Sequence, residues 1–175
     1  MKYDLSKHKP CSEAVEYYAG YKTFEDAWEN CPRGDWMLWI AQKLGVNIRT
    51  LTLAKGYCAK TVIHLMEDHR SINSVKTAIR FGRYRASKKE LYASAADAAD
   101  AAYAADADAS AAYAVAAYAA DAADAAADAD AAADAAAAAD AQVRVQQCDV
   151  IREYVSFEQL SALIESTRNG ETPNE

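Results

Sequence analysis

Between Leu91 and Ala141 the chain has no Lys, no Arg, no Gly and no Pro. The stretch therefore lacks both strong helix breakers and any base that could neutralise its acids. The four cysteines, Cys11, Cys31, Cys58 and Cys148, include no CxxC pair. That spacing argues against a zinc site or a redox dithiol and predicts four reduced, buried or partly buried thiols. No run of eighteen apolar, charge-free residues occurs, so no membrane span is expected. The polar start, with Lys2, Lys7 and Lys9 and no apolar core behind them, does not read as a signal peptide, and a cytoplasmic location is the expectation. Nucleophile–base pairs and Gly-rich phosphate loops are also missing, which points away from enzymatic activity and from a bound cofactor.

What the chain does contain is segregated charge. The formal net charge is −7, yet residues 1–90 hold sixteen Lys/Arg against ten Asp/Glu, and residues 91–141 hold ten Asp with no base. Halves of opposite sign predict internal or subunit pairing before any external partner.

Taken in order, the pattern predicts one all-α domain over 1–175, a multi-helix bundle with three parts. A basic core of helices, centred on tryptophans, covers 11–90; Ala/Asp-rich helices cover 87–155; a C-terminal helix covers 156–170. Residues 1–10 read as a loose start, followed by a short helix stopped at Gly20 and another capped by Thr23. Asp35 is placed as the N-cap and Gly45 as the stop of an apolar helix in which Trp36 and Trp39 form the packing centre. From Asn47 a helix of about twenty residues is expected to 67, with Leu65 on its inner arc and Gly56 on the outer one. Ser71 is placed as the cap of the next helix, which carries a basic stripe of Lys76, Arg80 and Arg83.

Ser87-Lys88-Lys89-Glu90 is a capping box, so the Ala/Asp segment opens as a helix. Its aspartates do not keep one phase. Cutting the segment near 106–110 and 129–140 gives pieces that each have a charge-free face: Tyr92, Ala96, Ala99 and Tyr103 in the first, and Val115 and Tyr118, opposite the acidic surface of Asp121, Asp124 and Asp128, in the second. A buried Ala methyl contributes only about 0.8 kcal/mol, so such pieces must rely on helix propensity and close backbone approach. Small faces of this kind suit contact between copies, and a homo-oligomer is expected. Ser156-Phe157-Glu158-Gln159 opens the last helix, with Phe157, Leu160, Leu163 and Ile164 inward.

Candidate binding residues are Arg33, Asp35, Trp36, Lys60, His64, Arg70 and Arg80. His64 and His69 are five residues apart, which does not put both rings on one helical face, so no metal is predicted. A basic stripe reads first as a solvated face, next as a partner for the acidic segment and last as a phosphate or nucleic-acid site, so nucleic acid is not expected as a partner.

The run Cys31-Pro32-Arg33-Gly34-Asp35-Trp36-Met37-Leu38-Trp39, then Leu53-Ala54-Lys55-Gly56-Tyr57-Cys58-Ala59-Lys60-Thr61, and then Arg70 ahead of Ala78-Ile79, resembles a group of alanine-rich helical immunity proteins of bacteria and phages. The likeness covers residues 24–140 and implies the mode of polymorphic-toxin immunity proteins, which bind and block a partner. In phage genomes the partner would be a host defence component. The resemblance implies no catalytic residues. Two alternatives stand beside it: a sponge in which Arg33, Lys60 and Arg70 hold a small phosphorylated signal, and a homo-oligomeric helical scaffold.

Overall fold

A computed structural model describes residues 3–104 and 141–169. Among these residues there is no strand, and eight α-helices pack as a bundle: α1 (Ser12–Ala19), α2 (Phe24–Glu29), α3 (Gly34–Lys43), α4 (Ile48–Lys60), α5 (His69–Gly82), α6 (Lys88–Ala104), α7 (Ala141–Tyr154) and α8 (Phe157–Arg168). Short 3-10 turns lie at Leu5–His8 and Ile63–Leu65. The two proposed breaks in the Ala/Asp segment lie outside the described residues, as do Asp121, Asp124 and Asp128.

Local chemistry sets most helix ends. Thr23 accepts from the Asp26 amide at 3.0 Å, Asn47 from the Arg49 amide at 2.8 Å and Ser156 from the Gln159 amide at 3.3 Å. In the capping box the Glu90 amide donates to Ser87 Oγ at 3.2 Å, and the Ser87 amide donates to Glu90 Oε2 at 2.8 Å. Gly45, with φ 86°, ends α3: its amide donates to Gln42 O while the Val46 amide donates to Ala41 O. That pair of bonds is a Schellman motif, and buried Val46 completes its apolar contact.

Several helix ends differ from the sequence reading. Helix α3 opens at Gly34 with Arg33 in the capping position, and Asp35 is bonded to the Arg33 side chain instead. Asp68, not Ser71, caps α5 by accepting from the Arg70 amide at 2.7 Å, and Ser71 is buried. Helix α4 stops at Lys60, because the β-branched run Thr61-Val62-Ile63 turns back on it, with Thr61 Oγ1 donating to Cys58 O at 2.7 Å. Leu65 is consequently exposed. Residues 5–8 are less loose than expected, with Leu5 buried in the core.

The tryptophan centre also moves. Trp28 of α2 has 0% exposure, whereas Trp36 and Trp39 are half-buried; Met37, Ile40 and Ala41 form the inner face of α3. These pack with Leu51, Ile151, Leu160 and Ile164 into one core. On α6 the inner face is Leu91, Ser94, Ala95 and Ala98, while Tyr92 is 52% exposed and Ala96 is also exposed. The expected face with Tyr92 and Ala96 therefore lies outward, because the helix turns Leu91 and its small residues Ser94, Ala95 and Ala98 inward.

Helix α4 is the hub, packing on α3, α5 and α7, and α6 packs on the far side of α5. The α4–α5 crossing is unusually close. Gly56, expected on the outer face, is buried against Ala78 and Ile79; a Cβ on Gly82 would lie 2.5 Å from Leu53 Cβ and 2.9 Å from Arg49 O. Backbone atoms cannot yield as a side-chain tip does, so Gly82→Ala should cost about 1–3 kcal/mol of overpacking despite its better helix propensity. Urea unfolding would register this as a lower midpoint, and an unchanged midpoint would contradict the crossing.

Candidate functional site

Two clusters of charged and aromatic side chains are built by the fold. The first lies at the start of α3. Arg33 Nε and Nη2 donate to the two carboxylate oxygens of Asp35 at 2.8 and 2.6 Å, and the guanidinium lies 4.9 Å from the centroid of Trp36. Behind it, Arg152 of α7 donates to Cys31 O at 2.8 Å and to Trp28 O at 3.4 Å, and pairs with Asp149 at 3.0 Å. These bonds tie α7 to the end of α2. They satisfy carbonyls left over at a helix terminus, so the cluster is a structural joint as well as a charged surface.

The structure thus brings Arg33, Asp35 and Trp36 together. It does not gather the other candidates around them as one pocket. Lys60 lies 5.4 Å over the Tyr57 ring, and His64 is exposed on the turn after α4. Arg70 donates to both oxygens of Asp68 at 3.2 and 3.0 Å, bonds that hold the exposed Asp68 carboxyl below the ordinary carboxylate range. Arg80 pairs with Glu90 at 3.3 Å. Arg70 and Arg80 are ten residues apart on one helix, about 15 Å along its axis, so one small ligand cannot bridge them. Among the described residues no group of three His, Cys, Asp or Glu side chains could hold a metal ion.

The second cluster was not expected from the sequence. Tyr57 of α4 stacks on Tyr154 of α7, with centroids 4.9 Å apart and planes at 16°. The Arg83 guanidinium lies 5.3 Å from the Tyr57 centroid and donates to its hydroxyl. Next in the chain, Tyr84 is 76% exposed, and Arg49 lies between it and Phe81, 4.5 and 4.1 Å from the two centroids. Arg49 Nη1 also donates to Phe81 O and reaches Ala86 O at 3.5 Å, spanning the turn from both sides. Rings and cations thus meet from the Tyr154–Tyr57 stack to the end of α5, where Arg83 and Arg49 lie against Tyr57 and Tyr84. A sequence signal existed: between Gly82 and Ser87 no Gly or Asn is present to end the helix, and Arg83-Tyr84-Arg85 stands there instead.

Burial governs the titrating groups inside. Lys55, 8% exposed, is lowered to about 8 by desolvation. Burial pushes the Cys31 and Cys58 thiols up to about 12, and Cys148 up as well. Cys11 is exposed, contrary to the expectation of four sheltered thiols, because it precedes α1 on the polar side.

Comparison with protein families, with curated proteins and with solved structures returned no match.

Two outcomes follow for these groups. A thiol reagent at pH 8 should modify Cys11 quickly, the half-buried Cys58 more slowly, and Cys31 and Cys148 only at the rate of unfolding; rapid reaction of Cys31 or Cys148 would contradict their burial. For Lys55, the folded value lies below the unfolded one, so the unfolded chain binds more protons between about 8 and 10.5 and stability rises with pH across that window. The buried thiols act oppositely from pH 9 upward, because their folded values are raised. Comparison of Lys55→Met with the parent isolates the lysine: the advantage of the variant at pH 7 should shrink by up to about 3 kcal/mol by pH 10.5. A difference independent of pH would show that Lys55 titrates normally.

Proposed function

We propose that the chain is a non-catalytic binding protein of immunity or anti-defence type, which neutralises a toxin or host defence component by occupying it. The use of charge carries this reading. Among the described residues the exposed cations Lys60, Lys76, Arg80, Arg83 and Arg85 and the exposed ring of Tyr84 lie on or just after α4 and α5, while the thiols Cys31 and Cys58 are pushed up to about 12 by burial. A protonated thiol is a poor nucleophile. The resemblance of residues 24–140 to immunity proteins supports the same reading and supplies its class of partner.

The sponge for a small phosphorylated signal is weaker on the geometry. Arg33 and Arg70 each hold a carboxylate through two bonds, which a phosphate would have to displace. Homo-oligomerisation through small-residue faces remains part of the proposal.

The reading is tested by co-expression with a panel of bacterial toxins and phage-defence systems. Restored growth, together with a complex of defined stoichiometry that survives purification, is expected for one member. No rescue across the panel would count against the proposal, and a nucleotide retained in native mass spectrometry would transfer the case to the sponge.

A further inference from the structure

The end of α5 is a Schellman motif: the Tyr84 amide donates to Phe81 O at 3.0 Å, and the Arg85 amide donates to Arg80 O at 2.7 Å. The central residue of that motif must be left-handed and is usually Gly. Here it is Tyr84, with φ 59°. Among the described non-glycine residues only Lys9 shares such a φ. A bulky side chain in this region is an outlier that a fold retains against a conformational cost. Tyr84 does not recover that cost by burial, because its ring is 76% exposed, more than any other large apolar side chain among the described residues. Arg49 backs one face of the ring and braces the turn, leaving the ring held outward between Arg83 and Arg85.

Flat rings alternating with cations match one polymer in particular. Residues 49–89 hold ten Lys/Arg against two acids, Glu67 and Asp68, and although Lys55 is buried and Arg70 and Arg80 pair with Asp68 and Glu90, the segment keeps exposed cations at Arg83 and Arg85 on either side of Tyr84 in the chain. A single-stranded nucleic acid offers at each step an unstacked base for a ring and a phosphate for a cation. An acidic peptide offers the anions without the planar faces, and a duplex keeps its bases stacked away from the ring.

We propose that the Arg83-Tyr84-Arg85 turn, with Tyr57 and Arg49 behind it, is a binding surface for single-stranded nucleic acid, with Tyr84 as the stacking platform. The basic stripe by itself puts nucleic acid last among its readings; the fold raises it by setting the exposed Tyr84 ring against Arg49. The site is additional to the blocking of a protein partner and does not depend on it.

The test is fluorescence anisotropy of the full chain with labelled dT20, and with polyglutamate of similar charge, at several salt concentrations. Binding of dT20 should weaken steeply with salt, and polyglutamate should bind at least tenfold more weakly. Tyr84→Gly, which suits the left-handed backbone, should leave the urea midpoint unchanged or raised and reduce dT20 affinity about tenfold or more; Tyr84→Trp should retain it. Arg85→Ala should lower both affinity and salt slope. Equal binding of polyglutamate and dT20, or dT20 binding indifferent to Tyr84→Gly, would overturn the proposal. So would loss of toxin rescue, rather than of dT20 binding, on Tyr84→Gly, since that would identify the turn as a protein contact.

Discussion

The approach of α4 to α5 is the contact on which the rest of the described structure depends. Two glycines make it possible: at Gly56 a Cβ would lie 2.9 Å from Ile79 Cγ1 and 3.2 Å from its amide nitrogen, and at Gly82 2.5 Å from Leu53 Cβ and 2.9 Å from the Arg49 carbonyl oxygen. Close backbones fix the relative height of the two helices more tightly than interdigitated long side chains would. Because that height is fixed, Arg49 stands level with the end of α5 and can brace the turn that follows. On its other side α4 meets α3 and α7; Gln147 Nε2 lies 3.5 Å from Cys58 O, and Ile151 lies beside Gly34. A displacement of α4 would therefore be felt in the core, in the arginine brace and in the Tyr57–Tyr154 stack together.

How much of this could be read from the chain depends on how local the cause was. The caps at Thr23, Asn47, Ser87 and Ser156 and the stop at Gly45 are legible because each is a bond or a backbone angle within a few residues. The all-helical bundle is legible for the same reason, as a sum of local preferences. Burial was harder. Trp36 and Trp39 looked central by size, yet Trp28, on a six-residue helix with little periodicity to read, is the fully enclosed one. On α6 the tyrosine marked the outer face, and Leu91 with small residues marked the inner. Gly56 shows the limit most clearly: in a helix a glycine reads as a weakness, and only the partner helix reveals it as a contact. The candidate set was legible in part, since Arg33, Asp35 and Trp36 are neighbours in sequence, whereas the ladder from Tyr154 to Tyr84 joins three helices.

The ion pairs have a modest energetic part. Arg70–Asp68 and Arg80–Glu90 are exposed, and pairs of that kind contribute roughly 0–1 kcal/mol after side-chain ordering and screening. Stability must then come from apolar burial around Trp28, Met37, Ile40, Ile151 and Leu160, together with the capped helix ends. Surface charge is correspondingly free to vary without loss of the fold, and the cations between Arg49 and Lys89 are balanced only in part by acids among the described residues.

Tyr84 brings these strands together. Natural helices that end in a Schellman motif have an inexpensive solution in glycine, and this chain uses it at Gly45, where nothing is displayed. At Tyr84 the same backbone need is met by a tyrosine with its ring exposed and a guanidinium behind it. Contacts among the described residues do not account for the difference, since Arg49 already has Phe81 and two carbonyl oxygens to hold it. A side chain kept in a costly backbone angle, and kept exposed, is best understood by what it meets from outside. Arg83 and Arg85 flank that ring in the chain, a combination that a flat, negatively charged partner would use.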